Sequence, residues 1–132
     1  MRAVLEGNFK ETSPFGWRVH PVTKEKKMHN GVDLAGVPKG NSVTTPSDGI
    51  VKISALSNSA GNWIHIAKNN LTFIFMHLDS RAVKVGDIVK KGQEIGKVGT
   101  TGMSTGIHLH FEVRENGTPI NPKNFIYYET TT

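Results

Sequence analysis

Cysteine is absent from the 132-residue chain, which excludes a disulfide framework and any thiolate-bound metal. A metal held by this protein must therefore be bound by histidine, aspartate or glutamate. No apolar run is long enough to cross a bilayer, so no membrane contact is expected. The opening stretch, MRAVLEGNFK, has no apolar signal-peptide core. Aromatic residues make up only 8% of the chain. No stacking motif accompanies the basic residues, which argues against nucleic-acid recognition. Acidic residues are in the minority: the net charge is +5, and a surface of that sign favours polyanions.

Helical periodicity is also scarce. Apolar and β-branched residues recur with a period of two over 49–55, 63–67, 71–78, 93–98 and 107–114. Turn residues bound every run, among them Asp48-Gly49, Asn69-Asn70, Lys91-Gly92 and Asn116-Gly117. Fourteen glycines fit many short strands joined by tight turns. The expected fold is mainly β: an antiparallel sandwich or barrel-like core with short strands, long loops and little helix. The one helix expected is a single turn after Asn121, with Asn121 as cap and Pro122 at the first helical position. A chain of this length predicts one domain. Its core is expected over about 15–125, with 126–132, including Thr130 to Thr132, as a tail or the start of a linker.

Six histidines are the chemical signal, and two groupings stand out. In His108-Leu-His110, strand alternation puts both imidazoles on one face, with Cα atoms about 6.6 Å apart. Two such rings can converge on one ion, or one can bind the ion while its neighbour faces the substrate. Leu109 then points into the opposite layer. In His29-Asn-Gly-Val-Asp33, a flat strand would hold the end residues about 13 Å apart, too far to share one metal. Gly31 and Val32 disfavour a helix. A bend at Asn30-Gly31, a pair that readily takes positive φ, would bring His29 and Asp33 together. The two groupings offer imidazoles and a carboxylate, a set suited to a catalytic zinc with three protein ligands and one open position. His77 closes the apolar run 71–78. His20 is expected in a loop before Pro21, and His65, alternating with Ile64 and Ile66, is expected to face solvent.

Several segments together resemble the lysostaphin/LytM-type peptidoglycan endopeptidases. These are Phe15-Gly-Trp-Arg-Val-His-Pro21, Met28-His-Asn-Gly-Val-Asp-Leu34, Thr45-Pro-Ser-Asp-Gly-Ile-Val51, Gly61-Asn62 and Phe75-Met-His-Leu78. They continue with Val89-Lys-Lys-Gly-Gln-Glu-Ile-Gly96, Gly106-Ile-His-Leu-His-Phe-Glu112 and Ile120-Asn-Pro122. The resemblance implies an antiparallel β core with a groove between loops, and a zinc-dependent endopeptidase acting on peptides of bacterial cell wall. It implies that His29, Asp33 and His110 ligate one zinc. It places His77 and His108 beside the open position, as proton carriers or donors to the transition state. Asn30 and Glu112 are candidates for holding an imidazole in one tautomer. Phe75 and Trp17 stand where relatives commonly carry tyrosine, which bears on substrate preference.

The expected substrate is a peptidoglycan peptide, and the expected place of action is the cell wall outside the cell or a phage virion. The basic surface would suit anionic wall polymers, and the chain is expected to act as a monomer. Two other classes fit less. A wall-binding module without catalysis would not need all five site residues. The segments Gly49-Ile-Val51 and Val85-Gly-Asp-Ile-Val-Lys-Lys-Gly-Gln-Glu-Ile-Gly96 also resemble biotinyl/lipoyl carriers and sugar-phosphotransferase IIA domains. Here, however, no Met-Lys-Met tip is present, and Asp33 would have no role in phosphohistidine chemistry.

Overall fold

A computed structural model describes residues 2–129. The N-terminal part comprises β1 (Arg2–Ala3), β2 (Lys10–Ser13), β3 (Gly16–Val19), β4 (Lys26–His29), β5 (Val32–Ala35) and β6 (Ser42–Thr44). Three long strands follow: β7 (Gly49–Ser57), β8 (Gly61–Lys68) and β9 (Leu71–Arg81). Then come β10 (Ile88–Val89), β11 (Glu94–Val98), β12 (Leu109–Glu115) and β13 (Thr118–Ile120), the single helical turn α1 (Lys123–Ile126), and β14 (Tyr127–Tyr128). The mainly β expectation holds, and each of the five expected runs lies wholly or mostly within a strand.

A ten-stranded sheet carries the site. Its main path is β10-β7-β8-β9-β12-β5-β2, with β11 bridging β6 and β9 and β13 flanking β12. Every pairing is antiparallel. The hairpins arise where the turn residues predict them. Asn69 between β8 and β9 has φ 55°, and Asn116 and Gly117 between β12 and β13 have φ 51° and 82°, the left-handed conformations that tight hairpins need. At the helical turn, the Lys123 backbone N–H donates to Asn121 Oδ1 at 3.0 Å. Pro122 stands one place before the first helical residue, a shift of the kind frayed helix ends show.

One face of the sheet is the core. Phe73, Phe75, Phe111, Ile64, Ile66, Leu34 and Leu109 are fully buried there, and Phe75 and Phe111 pack with ring centroids 5.2 Å apart. In β12 the alternation is clean: Leu109, Phe111 and Val113 enter the core, which sends His110 and Glu112 to the other face.

The core extends beyond the expected 15–125. Val4 and Leu5 are fully buried and Tyr128 is nearly so. β1 pairs with β14, and the Tyr128 hydroxyl bonds to Thr44 Oγ1. Two-residue strands carry no periodicity of their own, so local patterning does not reveal these flanks. Ile126 and Tyr128 thus belong to the packed body, while the expected tail Thr130 to Thr132 lies outside the described residues.

Candidate metal centre

Three elements converge on one corner of the sheet. The end of β4 and the start of β5 bring His29 and Asp33, β9 brings His77, and β12 with the residue before it brings His110 and His108. Cross-strand register sets His110 directly opposite Asp33 and Met76. His29 ends one strand and Asp33 belongs to the next, so the expected bend is present. It does not use positive φ, however: neither Asn30 nor Gly31 takes that conformation. Glycine is needed at 31 for another reason. A Cβ there would lie 2.4 Å from the Phe111 carbonyl oxygen and 2.7 Å from Glu112 Cγ. Only a residue without a side chain lets the bend lie flat on β12.

Asp33 is the hub. Its Oδ1 lies 2.8 Å from His110 Nδ1 and 3.7 Å from His108 Nε2, and its Oδ2 lies 3.5 Å from His29 Nε2. The His29 and His110 rings are 5.1 Å apart. One ligand atom from each of His29, Asp33 and His110 can be chosen so that all lie within 4.8 Å of one another. Two imidazole nitrogens and a carboxylate oxygen, with no thiolate, form a donor set that fits zinc.

The opposite ring nitrogens are anchored, which fixes how each imidazole is presented. His29 Nδ1 donates to the Pro14 carbonyl at 2.8 Å, His77 Nδ1 to the Thr101 carbonyl at 2.8 Å, and His108 Nδ1 to the Gly106 carbonyl at 2.9 Å. Each of these rings therefore keeps Nε2 uncommitted to a carbonyl. His110 is reversed: its Nε2 bonds to Glu112 Oε2 at 2.8 Å, leaving Nδ1 toward Asp33. Arg114 in turn donates to Glu112 Oε1 at 2.9 and 3.2 Å.

Electrostatics follow from this packing. Burial works to raise the Asp33 pKa, but the hydrogen bond from His110 and the charges of His110, His29 and His108 bring it below the ordinary carboxylate value. Burial works to lower the His110 pKa, yet Asp33 and Glu112 on its two nitrogens raise it to about 9. His77 is lowered, chiefly by burial, which keeps it neutral near pH 7. His77 also has φ 66°, a left-handed conformation that is strained for a residue with a side chain. Its strand does not end there, as the sequence pattern suggests, but runs on to Arg81.

The structure brings together six of the seven residues singled out from the sequence. The exception is Asn30, which is exposed and forms none of the cluster's hydrogen bonds, whereas Glu112 bonds to His110 Nε2. His65 also departs from expectation. It is half-buried, with the Trp63 ring 5.8 Å away, and its Nε2 is buried without a hydrogen-bond partner. His20 is exposed as expected, and its Nδ1 accepts from the Val22 and Thr23 backbone N–H groups, each at 3.1 Å. The carbonyls of Pro14, Thr101 and Gly106 were invisible to sequence reasoning, because every residue has one.

Comparison with known proteins follows the same residues. A family model described as Peptidase family M23 matches residues 27–122, a span that holds all five histidine and aspartate positions of the cluster. The chain is 39% identical over 112 residues to DD-carboxypeptidase/endopeptidase Mpg of Neisseria meningitidis serogroup B, covering 84% of this chain and 26% of that protein. It is 43% identical over 108 residues to peptidoglycan DD-endopeptidase ShyC of Vibrio cholerae, covering 80% and 24%. The chain thus spans about a quarter of the length of these curated relatives. A crystal structure of a zinc-containing peptidase from Vibrio cholerae matches 98% of this chain and 41% of its own, with TM-score 0.83 and 36% identity. The catalytic domain of lysostaphin from Staphylococcus simulans matches 89% and 92%, with TM-score 0.76 and 35% identity.

Proposed function

The chain belongs to peptidase family M23, and from that premise we propose that it is a zinc-dependent endopeptidase hydrolysing peptide bonds in peptidoglycan stem peptides or cross-bridges. The observation that carries this reading is the mutual approach of His29, Asp33 and His110 ligand atoms to within 4.8 Å. In this reading the described chain is one peptidase domain. His29 and Asp33 would hold zinc with His110, and Asp33 would partly neutralise the ion's charge. When bound, zinc supplies a Lewis acid that polarises the scissile carbonyl and lowers the pKa of a water toward neutrality.

His77 and His108 perform the proton work. Their rings are 4.9 Å apart, and neither is within direct bonding distance of Asp33. Each donates Nδ1–H to a backbone carbonyl, so each neutral ring has Nε2 available as an acceptor. Nε2 can take a proton from the attacking water and later pass it to the leaving amine. In its protonated form the same nitrogen donates to the developing oxyanion. Glu112 orients His110 and is itself held by Arg114.

The site of action in this proposal is the cell wall, reached from outside the cell, with a phage virion as the alternative carrier. Names of curated relatives, such as peptidoglycan DD-endopeptidase, support wall peptides as substrate. The basic surface suits anionic wall polymers, and a monomer suffices because all five site residues come from one chain. The test is digestion of muropeptides of known chemistry by the zinc-loaded protein, with mass analysis of products. Full cleavage after exhaustive chelation would overturn the zinc mechanism, and no cleavage of any muropeptide would overturn the substrate.

A further inference from the structure

The carbonyls that hold His77 and His108 both belong to the β11–β12 loop, 99–108, and this loop is fastened to the sheet by a hydroxyl that the scheme above does not use. His77 has a left-handed backbone, φ 66°, which a residue with a side chain keeps only where its surroundings impose it. Two loops do so. The β7–β8 connection takes the main chain: the His77 N–H donates to the Ala60 carbonyl at 2.8 Å. The β11–β12 loop takes the ring: Nδ1–H donates to the Thr101 carbonyl at 2.8 Å.

The Thr101 side chain closes this arrangement. Its hydroxyl donates to the Leu78 carbonyl at 2.6 Å and accepts from the Asn62 backbone N–H at 3.0 Å. Residue 101 is therefore bound at two points to the consecutive residues 77 and 78, by its carbonyl to the ring and by its hydroxyl to the next peptide. The two loops also meet backbone to backbone. The Met103 N–H donates to the Ser59 carbonyl at 2.9 Å. A Cβ at Gly61 would overlap Thr101, and one at Gly102 would overlap the Gly61 nitrogen.

A carbonyl can only accept, so the place it occupies decides which ring nitrogen carries the hydrogen. With hydrogen on Nδ1, Nε2 is an acceptor. Without that carbonyl the hydrogen is shared between the two nitrogens, and a ring with hydrogen on Nε2 cannot take a proton there. Threonine is stiff at χ1, which ties the anchored hydroxyl to the backbone that presents the carbonyl. We propose that Thr101 is a positioning residue for the hydrolysis: its hydroxyl fixes the carbonyl that keeps His77 with hydrogen on Nδ1 and Nε2 free to accept. The inference rests on the reading of His77 as a proton carrier and extends it to a side chain outside the five site residues.

The test combines turnover with the state of the ring. Thr101→Val replaces the hydroxyl by a methyl group of similar size, and Thr101→Ser keeps the hydroxyl. Zinc-loaded wild type and variants are assayed on a cross-linked muropeptide dimer. The His77 tautomer is read by nitrogen NMR of the histidine rings, its signals assigned by their absence from H77A. In T101V, kcat should fall by about 10- to 100-fold, the range for groups that orient site residues. KM should stay within about twofold, and zinc content should not change. T101S should recover most of the wild-type kcat. Hydrogen on Nδ1 should dominate in wild type and T101S, and the Nε2 form should grow in T101V. The double variant H77A/T101V should be no slower than H77A, because the hydroxyl acts only through the ring. A wild-type His77 with hydrogen on Nε2 overturns the proposal, and this measurement stands even where T101V does not fold. Wild-type kcat in T101V, a raised KM at constant kcat, loss of zinc from folded T101V, or a double variant slower than H77A by the full T101V factor overturns it as well. Failure of the wild type to cut the dimer overturns the endopeptidase reading, while the tautomers of wild type and T101V still decide what Thr101 holds.

Discussion

His110 Nδ1 and Asp33 Oδ1 stand 2.8 Å apart although 77 residues separate them in the chain. The pair sits at a direct cross-strand position between β12 and β5, so sheet register and not a flexible loop sets the distance. Sites built on strands in this way hold their geometry closely.

Asp33→Ala removes the hub that faces three histidines. Zinc stoichiometry, measured by elemental analysis after gel filtration, is expected to fall from one per chain to near zero. The melting temperature of the variant should then match that of chelated wild-type protein, because ligand-linked stability is lost with the ligand. Full zinc content in the purified variant would remove Asp33 from the ligand set.

His108 and His110 share a strand face yet have different tasks in the proposed mechanism. His110→Ala should lose zinc and activity together. His108→Ala should keep zinc while turnover drops by about 10²–10⁴-fold, the size of a general acid–base contribution. The two variants are compared by zinc content and muropeptide cleavage rate. Retention of zinc by His110→Ala and its loss from His108→Ala would reverse the assignment.

The left-handed backbone at His77 allows function to be separated from strain. His77→Gly and His77→Ala both remove the imidazole, so both should lose turnover. Only glycine relieves the φ of 66°, so His77→Gly should be more stable than His77→Ala by about 1 kcal/mol. Denaturant melts of both variants check this. Equal stability would mean that the backbone relaxes when the ring is removed.

Metal-free protein should lose stability on the alkaline side. In the fold, His110 is raised from 6.5 to about 9, so its protonated form stabilises the chain fully below the unfolded value. That stabilisation is lost as pH rises through about 9. His77 and His65 are shifted down, so their effect is complete by about pH 7.5 and leaves the window above it to His110. Chelated protein should therefore melt at progressively lower temperature between about pH 7.5 and 9.5. The slope should be much reduced in His110→Gln. A chelated wild type whose melting temperature stays flat across this window would contradict the protonated His110 between two carboxylates.

Much of this protein is legible in its sequence because the signals are local. Alternation in His108-Leu-His110 puts two rings on one face and Leu109 in the core, since successive strand side chains point in opposite directions whatever the partners. Asn69 and Asn116-Gly117 mark hairpins because few other residues tolerate their backbone angles. The lack of cysteine limits any metal to nitrogen and oxygen donors. The tertiary structure decided what depends on distant chain segments. Gly31 is needed because β12 lies against it, not because of its own φ. His77 becomes an internal, strained strand residue because its backbone N–H bonds to the Ala60 carbonyl and its ring to Thr101. Val4, Leu5 and Tyr128 join the core through β1 and β14, each too short to show a period. His65 is half-buried beside Trp63, where alternation alone would send it to solvent. In each case the deciding contact crosses between strands or loops far apart in the chain, and only the pairing register of the folded sheet sets it.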